Sequence, residues 1–202
     1  MEIYYIGGSP CSGKSTVAEA LADRYGLAYF KADDCLDELI AEGAVAGLPV
    51  CRRIRRMTAE ETWMRAPEVQ CQEELDFYAE VHGLLMRRLN ALESAAVVAE
   101  GACFLPQLMR DMGISPRRYV AITPSRDFQV SRYRERPWVP HVLRGCSNPD
   151  AAFAKWMARD VLFAEKVRQQ CIRLGYASLL TDGSICEADR LSQVVRYFGL
   201  EL

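Results

Sequence analysis

Apolar residues along this chain follow two rhythms: short unbroken runs, and longer stretches where they recur every three or four positions. Glu2 to Ile6 is a run of β-formers followed by two glycines, which predicts a buried strand. From Ser15 to Tyr25, Val17, Ala18, Leu21 and Ala22 recur at helical spacing, and Gly26 stops the pattern. Ala28 to Ala32 is a second short strand, and Asp34 to Glu42 a short helix. Gly43 to Val50, with Gly47 and Pro49, reads as a loop. Thr58 with Glu61 three residues later forms a capping box that opens a helix, and Pro67 interrupts it. A long helix is expected from about Glu68 to Glu93, with Leu75, Tyr78, His82, Leu85 and Leu89 along one side. Ala95 to Gly101 and Arg118 to Thr123 are the third and fourth strands, with a helix between them over Leu105 to Met112. Asp127 to Arg136 is helical until Pro137, Trp138 to Pro149 irregular, and Asp150 to Leu174 a long helix ended by Gly175. Ala177 to Thr181 is a fifth strand, Asp182-Gly183 a turn, and Glu187 to Phe198 a closing helix.

Five short apolar strands alternating with helices predict an α/β fold: a mostly parallel five-stranded sheet with helices on both faces. No repeat or long linker divides the chain, so its 202 residues read as one domain, 1–202. Hydrophobic residues at 50% and charged residues at 26% exclude a disordered tail, a collagen-like repeat and a low-complexity linker. A net charge of -2 argues against a grip on duplex nucleic acid. The longest purely apolar run near the middle, Ala95 to Ala99, is far short of the ~20 residues that span a bilayer. The opening residues lack the basic start of a signal peptide. No membrane partner and a cytoplasmic location are therefore expected; oligomeric state is not readable. Eight cysteines occur without any C-x-x-C pair, which speaks against structural zinc and for small buried thiols in a reducing compartment. Arginine outnumbers lysine 21 to 4, a bias that a GC-rich coding genome produces unaided. Position must therefore make the case for any single arginine.

One segment carries explicit chemistry. Gly8-Ser9-Pro10-Cys11-Ser12-Gly13-Lys14-Ser15, with Thr16 after it, matches G-x-x-x-x-G-K-[ST] between a strand and a helix. Glycines permit backbone dihedrals that side chains forbid, so successive N–H groups turn inward and form an anion cradle. The helix start adds its positive dipole end. Lys14 is placed to reach the β and γ phosphates of a nucleotide, and the Ser15 hydroxyl to bind Mg²⁺.

With that motif and this order of elements the chain resembles the P-loop small-molecule kinases: adenylate, cytidylate, shikimate and gluconate kinase, and the antibiotic phosphotransferases. The resemblance implies a three-layer P-loop kinase fold with a short lid, here about 132–150, and an acceptor-binding excursion, about 34–94. It implies transfer of the γ-phosphoryl group of Mg-ATP to a small anionic or hydroxyl-bearing acceptor. Asp33 follows the second strand, where such kinases place an acid on the acceptor hydroxyl, and Asp34 is its alternative or a helix cap. Glu100 resembles the family's second magnesium-organising carboxylate, with Glu in place of the commoner Asp, and it or Gly101 is placed to meet the acceptor. Arg132 and Arg136, one turn apart on an expected helix, resemble lid arginines that neutralise the moving phosphoryl group. Arg53 and Arg56, in the dense run Arg52 to Arg56, suit an anionic acceptor, and Trp63, Arg65 and Gln70 lie on the same excursion. Asp182-Gly183 falls where relatives pack backbone against adenine. Cys11 is either a tolerated small residue or a thiol activated by Lys14 and the helix start. Two other readings remain: a regulatory ATPase that binds a macromolecule through the Arg52–Arg56 run, and an antibiotic or sugar-nucleotide phosphotransferase.

Overall fold

The computed structural model describes residues 1–201. Its sheet has five parallel strands: β1 (Glu2–Gly8), β2 (Ala28–Lys31), β3 (Ala96–Glu100), β4 (Tyr119–Pro124) and β5 (Ala177–Thr181). Their order is β2-β3-β1-β4-β5. Residues 97–99 and 120–122 are fully buried, because both faces of each central strand are covered.

Side-chain alternation divides the core in two. Tyr4, Ile6, Val98, Val120 and Ile122 point to one face, where α1 (Lys14–Tyr25) contributes Val17, Ala18 and Leu21 and α10 (Glu187–Phe198) contributes Val194, Val195 and Phe198. Tyr5, Val97, Ala99, Tyr119 and Ala121 point to the other. There α5 (Pro67–Asn90) brings Phe77, Val81 and Leu85, α6 (Pro106–Asp111) brings Met109, and α9 (Pro149–Leu174) brings Phe163, Val167 and Cys171. Each fully buried Leu, Ile or Phe contributes roughly 1.5–3 kcal/mol of transfer free energy. A third cluster, Tyr133, Val139, Leu143, Cys146, Trp156 and Met157, ties the 138–149 segment to α9. Trp63, at the end of α4 (Ala59–Trp63), joins it by stacking on Trp156 with ring centroids 4.4 Å apart.

Three expectations need correction. Residues 43–50 are not a loop: α2 (Leu36–Ala46) runs through Gly43, and α3 (Pro49–Ile54) begins just beyond. A methyl group at Gly43 would lie 2.5 Å from Cys51 Sγ, so this glycine serves helix packing; Gly47, at φ 92°, ends α2. The helix after β4, α7 (Arg126–Arg134), stops before Arg136, because the residue preceding a proline is driven out of the helical region and Pro137 follows. The 138–149 segment holds one short helix, α8 (Val139–Val142), with Pro140 in its first turn. The capping box at Thr58 forms as expected: its hydroxyl accepts from the Glu61 amide, and the Glu61 carboxylate accepts from the Thr58 amide at 2.8 Å. No described helix is long and apolar enough to cross a membrane.

Candidate active site

The carboxyl ends of the parallel strands meet on one side of the sheet, where ligands of open α/β folds bind. Gly8 at the end of β1 has φ 125°, and a methyl group there would lie 1.8 Å from the Ile122 carbonyl oxygen, so only glycine fits. The loop then turns through Gly13 (φ 84°) into α1. Cys11 alone among the described non-glycine residues has positive φ, 60°. That left-handed bend, with Gly13, carries the loop round into α1. Burial raises the Cys11 pKa above the ordinary thiol value, with Arg136 and Lys14 opposing.

The Lys14 ammonium is buried and donates to the Ser9 carbonyl at 2.9 Å. Two residues that motif reading overlooked hold the loop's shape. Gln129 of α7 donates through Nε2 to Ser9 Oγ and to the Pro10 carbonyl, each at 3.1 Å. The Thr181 hydroxyl of β5 donates to the Ser12 carbonyl at 2.8 Å.

Glu100, at the end of β3, is fully buried. Its Oε1 accepts from the Ser15 hydroxyl at 2.9 Å and the Tyr29 hydroxyl at 3.1 Å, while Oε2 is buried without a partner. An orphaned carboxylate oxygen beside a P-loop serine suits Mg²⁺, which keeps few protein ligands and takes the rest from water and phosphates. Ser15 and Glu100 therefore fit the ion. Burial raises the Glu100 pKa, with Lys14, Ser15 and Tyr29 opposing.

This carries a stability prediction. A carboxyl whose folded pKa is raised binds its proton more tightly in the folded than in the unfolded chain. Stability therefore falls as pH climbs from the unfolded value, about 4.3, through the raised folded value. Glu100→Gln removes that loss, and its melting temperature at neutral pH is expected to exceed the parent's by a few degrees, with the gap closing at acidic pH. Denaturation from pH 4 to 8 checks this; parallel curves for the two proteins would refute it.

The two acids after β2 separate. A methyl group at Gly101 would lie 2.7 Å from Ala32 Cβ and 3.5 Å from Asp33 Oδ1, so Asp33 stands at the end of β3. Its charge also raises the pKa of Glu100. Asp34 is turned to the surface and pairs with Lys31 at 3.6 Å.

The two arginines of the 132–136 stretch also part, because α7 ends between them. The Arg136 guanidinium lies 5.3 Å from the Tyr133 ring centroid and 5.4 Å from that of Trp138, and its charge acts on Cys11 in the phosphate loop. Arg132 pairs with Glu135 at 3.1 Å and lies 5.0 Å from the Phe128 ring centroid. It lines a cavity of about 360 Å³ together with Ser12, Gly13, Thr16, Phe128 and Gly183. Asp182 does not line that cavity; its carboxylate accepts from the Ser184 amide at 2.9 Å and shapes the turn.

A second cavity, about 400 Å³, opens between α2, α4, α5 and α9. Trp63, Arg65 and Gln70 line it, with Tyr78 and Arg159. Glu73 takes ion pairs from both Arg53 and Arg65, and Glu74 takes one from Arg159. Arg56 is outside, exposed in a shallow depression with Arg52 and Glu61. Next to Arg159 lies Asp160, only 1% exposed, with Oδ2 unpartnered and its pKa raised by burial. Lys14, Arg159 and Tyr133 oppose that rise, which places Asp160 against the phosphate loop. The missed signal was legible: Ala152, Trp156, Asp160, Ala164 and Val167 form one helical stripe, and its single charge interrupts an otherwise apolar row. Among the described residues no cluster of three metal-ligating side chains occurs.

No known family's sequence profile matches the chain, and no curated protein matches it by sequence. Solved structures do. A protein from Thermus thermophilus superposes with a TM-score of 0.51 at 19% identity, over 96% of this chain and 94% of that one. Shikimate kinase from Bacteroides thetaiotaomicron superposes with a TM-score of 0.51 at 15% identity, over 98% and 99%. At such identities the likeness is one of architecture: this chain has the three-layer, five-stranded parallel fold of the P-loop small-molecule kinases.

Proposed function

We propose that the chain is an ATP-dependent phosphotransferase acting on a small hydroxyl-bearing acceptor. The observation that carries this reading is the phosphate loop with its buried lysine and the Ser15–Glu100 pair. The loop amides and Lys14 hold the phosphates. The 360 Å³ cavity takes the base, with Gly183 and Phe128 on one side and Arg132 at its rim. When bound, Mg²⁺ neutralises phosphate charge, and Ser15 and Glu100 hold it. The 132–150 segment acts as the lid, and Arg136 brings its cation to the transferring group. Asp33 accepts the proton that leaves the acceptor hydroxyl as the new O–P bond forms and the bond from the γ-phosphorus to the β,γ-bridging oxygen breaks, releasing ADP.

Charge pairing refines the acceptor. Arg53, Arg65 and Arg159 each face a glutamate already, which favours a hydroxyl-bearing acceptor over an anionic one. γ-Labelled ATP with Mg²⁺ and a fractionated metabolite pool tests the reading, with the parent chain compared against Lys14→Ala. Label in a new organic phosphate, absent with the variant, is the expected result. Label released only as inorganic phosphate, and faster with a macromolecular partner, would overturn it in favour of a regulatory ATPase.

A further inference from the structure

A cavity of about 1100 Å³ lies between α7, α8 and the first half of α9, and shares no lining residue with either cavity described above. Its floor is apolar, with Leu143, Phe153 and Met157 contributing. Its rim is basic: Arg126, Arg134 and Arg144 line it against a single acid, Asp150. None of these three guanidinium groups has a carboxylate within ion-pair distance among the described residues. All three are exposed, so their guanidinium groups are free to meet a ligand at the cavity mouth.

One of the three is placed where the local structure gives a cation little support. Arg126 opens α7, the positive end of the helix dipole, where a basic residue is disfavoured. Arg134 lies over the Phe153 ring at 6.0 Å, which holds its guanidinium at the cavity wall. Arg144 donates to His141 Nδ1 at 3.0 Å. A guanidinium cannot accept a hydrogen bond, so Nδ1 accepts and Nε2 carries the proton, a further donor on the rim.

We propose that this cavity binds a small amphiphilic anion, a carboxylate or phosphate head on an apolar body. The arginines supply fork-shaped donors suited to a planar carboxylate or a phosphate. The floor takes the apolar part, and the volume is ample for a whole metabolite. The inference does not rest on the phosphotransferase reading, and its test needs no turnover.

The probe is the fluorescent anion 8-anilinonaphthalene-1-sulfonate, titrated into the full chain with saturating Mg-ATP to keep it from the nucleotide site. One probe per chain is expected, displaced by decanoate or decyl phosphate and not by decanol. Arg134→Glu with Arg144→Glu is expected to weaken binding at least tenfold with the circular dichroism unchanged, since both side chains are exposed. Ala154→Trp, which fills the floor from an exposed position, is expected to abolish it. Co-sedimentation with phosphatidylglycerol vesicles, sensitive to the same arginine changes, would identify a lipid headgroup as the source of the anion; displacement by the free acids without co-sedimentation would identify a soluble molecule. Binding that ignores the arginine and Ala154 changes, equal displacement by decanol, or no binding would overturn the proposal.

Discussion

Replacing Lys14 with alanine is expected to lower kcat/KM for phosphoryl transfer by about a thousandfold or more while the chain stays folded. Transition-state charge on the moving phosphoryl group is the main thing such a site must stabilise, and losing one preorganised cation costs about 3–4 kcal/mol or more. The Lys14 ammonium is buried, and its one hydrogen bond is to the loop's own Ser9 carbonyl. It therefore stands ready to exchange that carbonyl for phosphate oxygens. Alanine suits the first position of a helix, so α1 is kept. A smaller effect opposes the gain in simplicity: Lys14 lowers the pKa of both Glu100 and Asp160, so each carboxyl holds its proton to higher pH in the variant. Single-turnover transfer from labelled ATP, with a melting curve beside it, checks both parts. Turnover unchanged with alanine at position 14 would remove the loop from the chemistry.

The strands and the phosphate loop were legible because their signals are local. Short apolar runs closed by Gly7-Gly8 or Asp182-Gly183 fix where strands end, and P-loop spacing acts over eight consecutive residues. β5 and α10 match their expected bounds. What failed was read from single residues with two uses. Gly43 looks like a terminator in sequence, but in space it is the small residue that lets Cys51 approach α2. Arg132 and Arg136 share a face only if the helix continues, and Pro137 stops it first. Charge pairing was the least legible feature. Arg53 looks free among four arginines, yet its partner Glu73 lies twenty residues on, in another helix. Tyr29 and Glu100 are 71 residues apart and meet only because β2 and β3 are neighbours. Such contacts depend on strand order, which no local pattern encodes.

That same strand order makes Asp33 the second residue whose loss should be felt most. With β2 beside β3, the turn after β2 lies against Gly101, where a methyl group would crowd Ala32 Cβ at 2.7 Å and meet Asp33 Oδ1 at 3.5 Å. Its charge is felt on both sides, raising the pKa of Glu100 at the end of β3 and that of Tyr78 on the wall of the 400 Å³ cavity. Asp34, paired with Lys31 at the surface, has no such reach. Asp33→Asn keeps the shape and removes the proton acceptor, so kcat is expected to fall by about 10²–10⁴-fold, the usual span for general-base catalysis. ATP affinity should change by less than about twofold, because among the described residues Asp33 makes no hydrogen bond or ion pair with Lys14 or Ser15. Asp34→Asn serves as the paired control and should leave kcat within about twofold, an exposed ion pair being worth about 1 kcal/mol or less. Equal loss of kcat and ATP affinity in Asp33→Asn would instead make the residue a support for the nucleotide site. A large loss in Asp34→Asn would exchange the two roles, placing the base on the outer acid and the structural contact on the inner one.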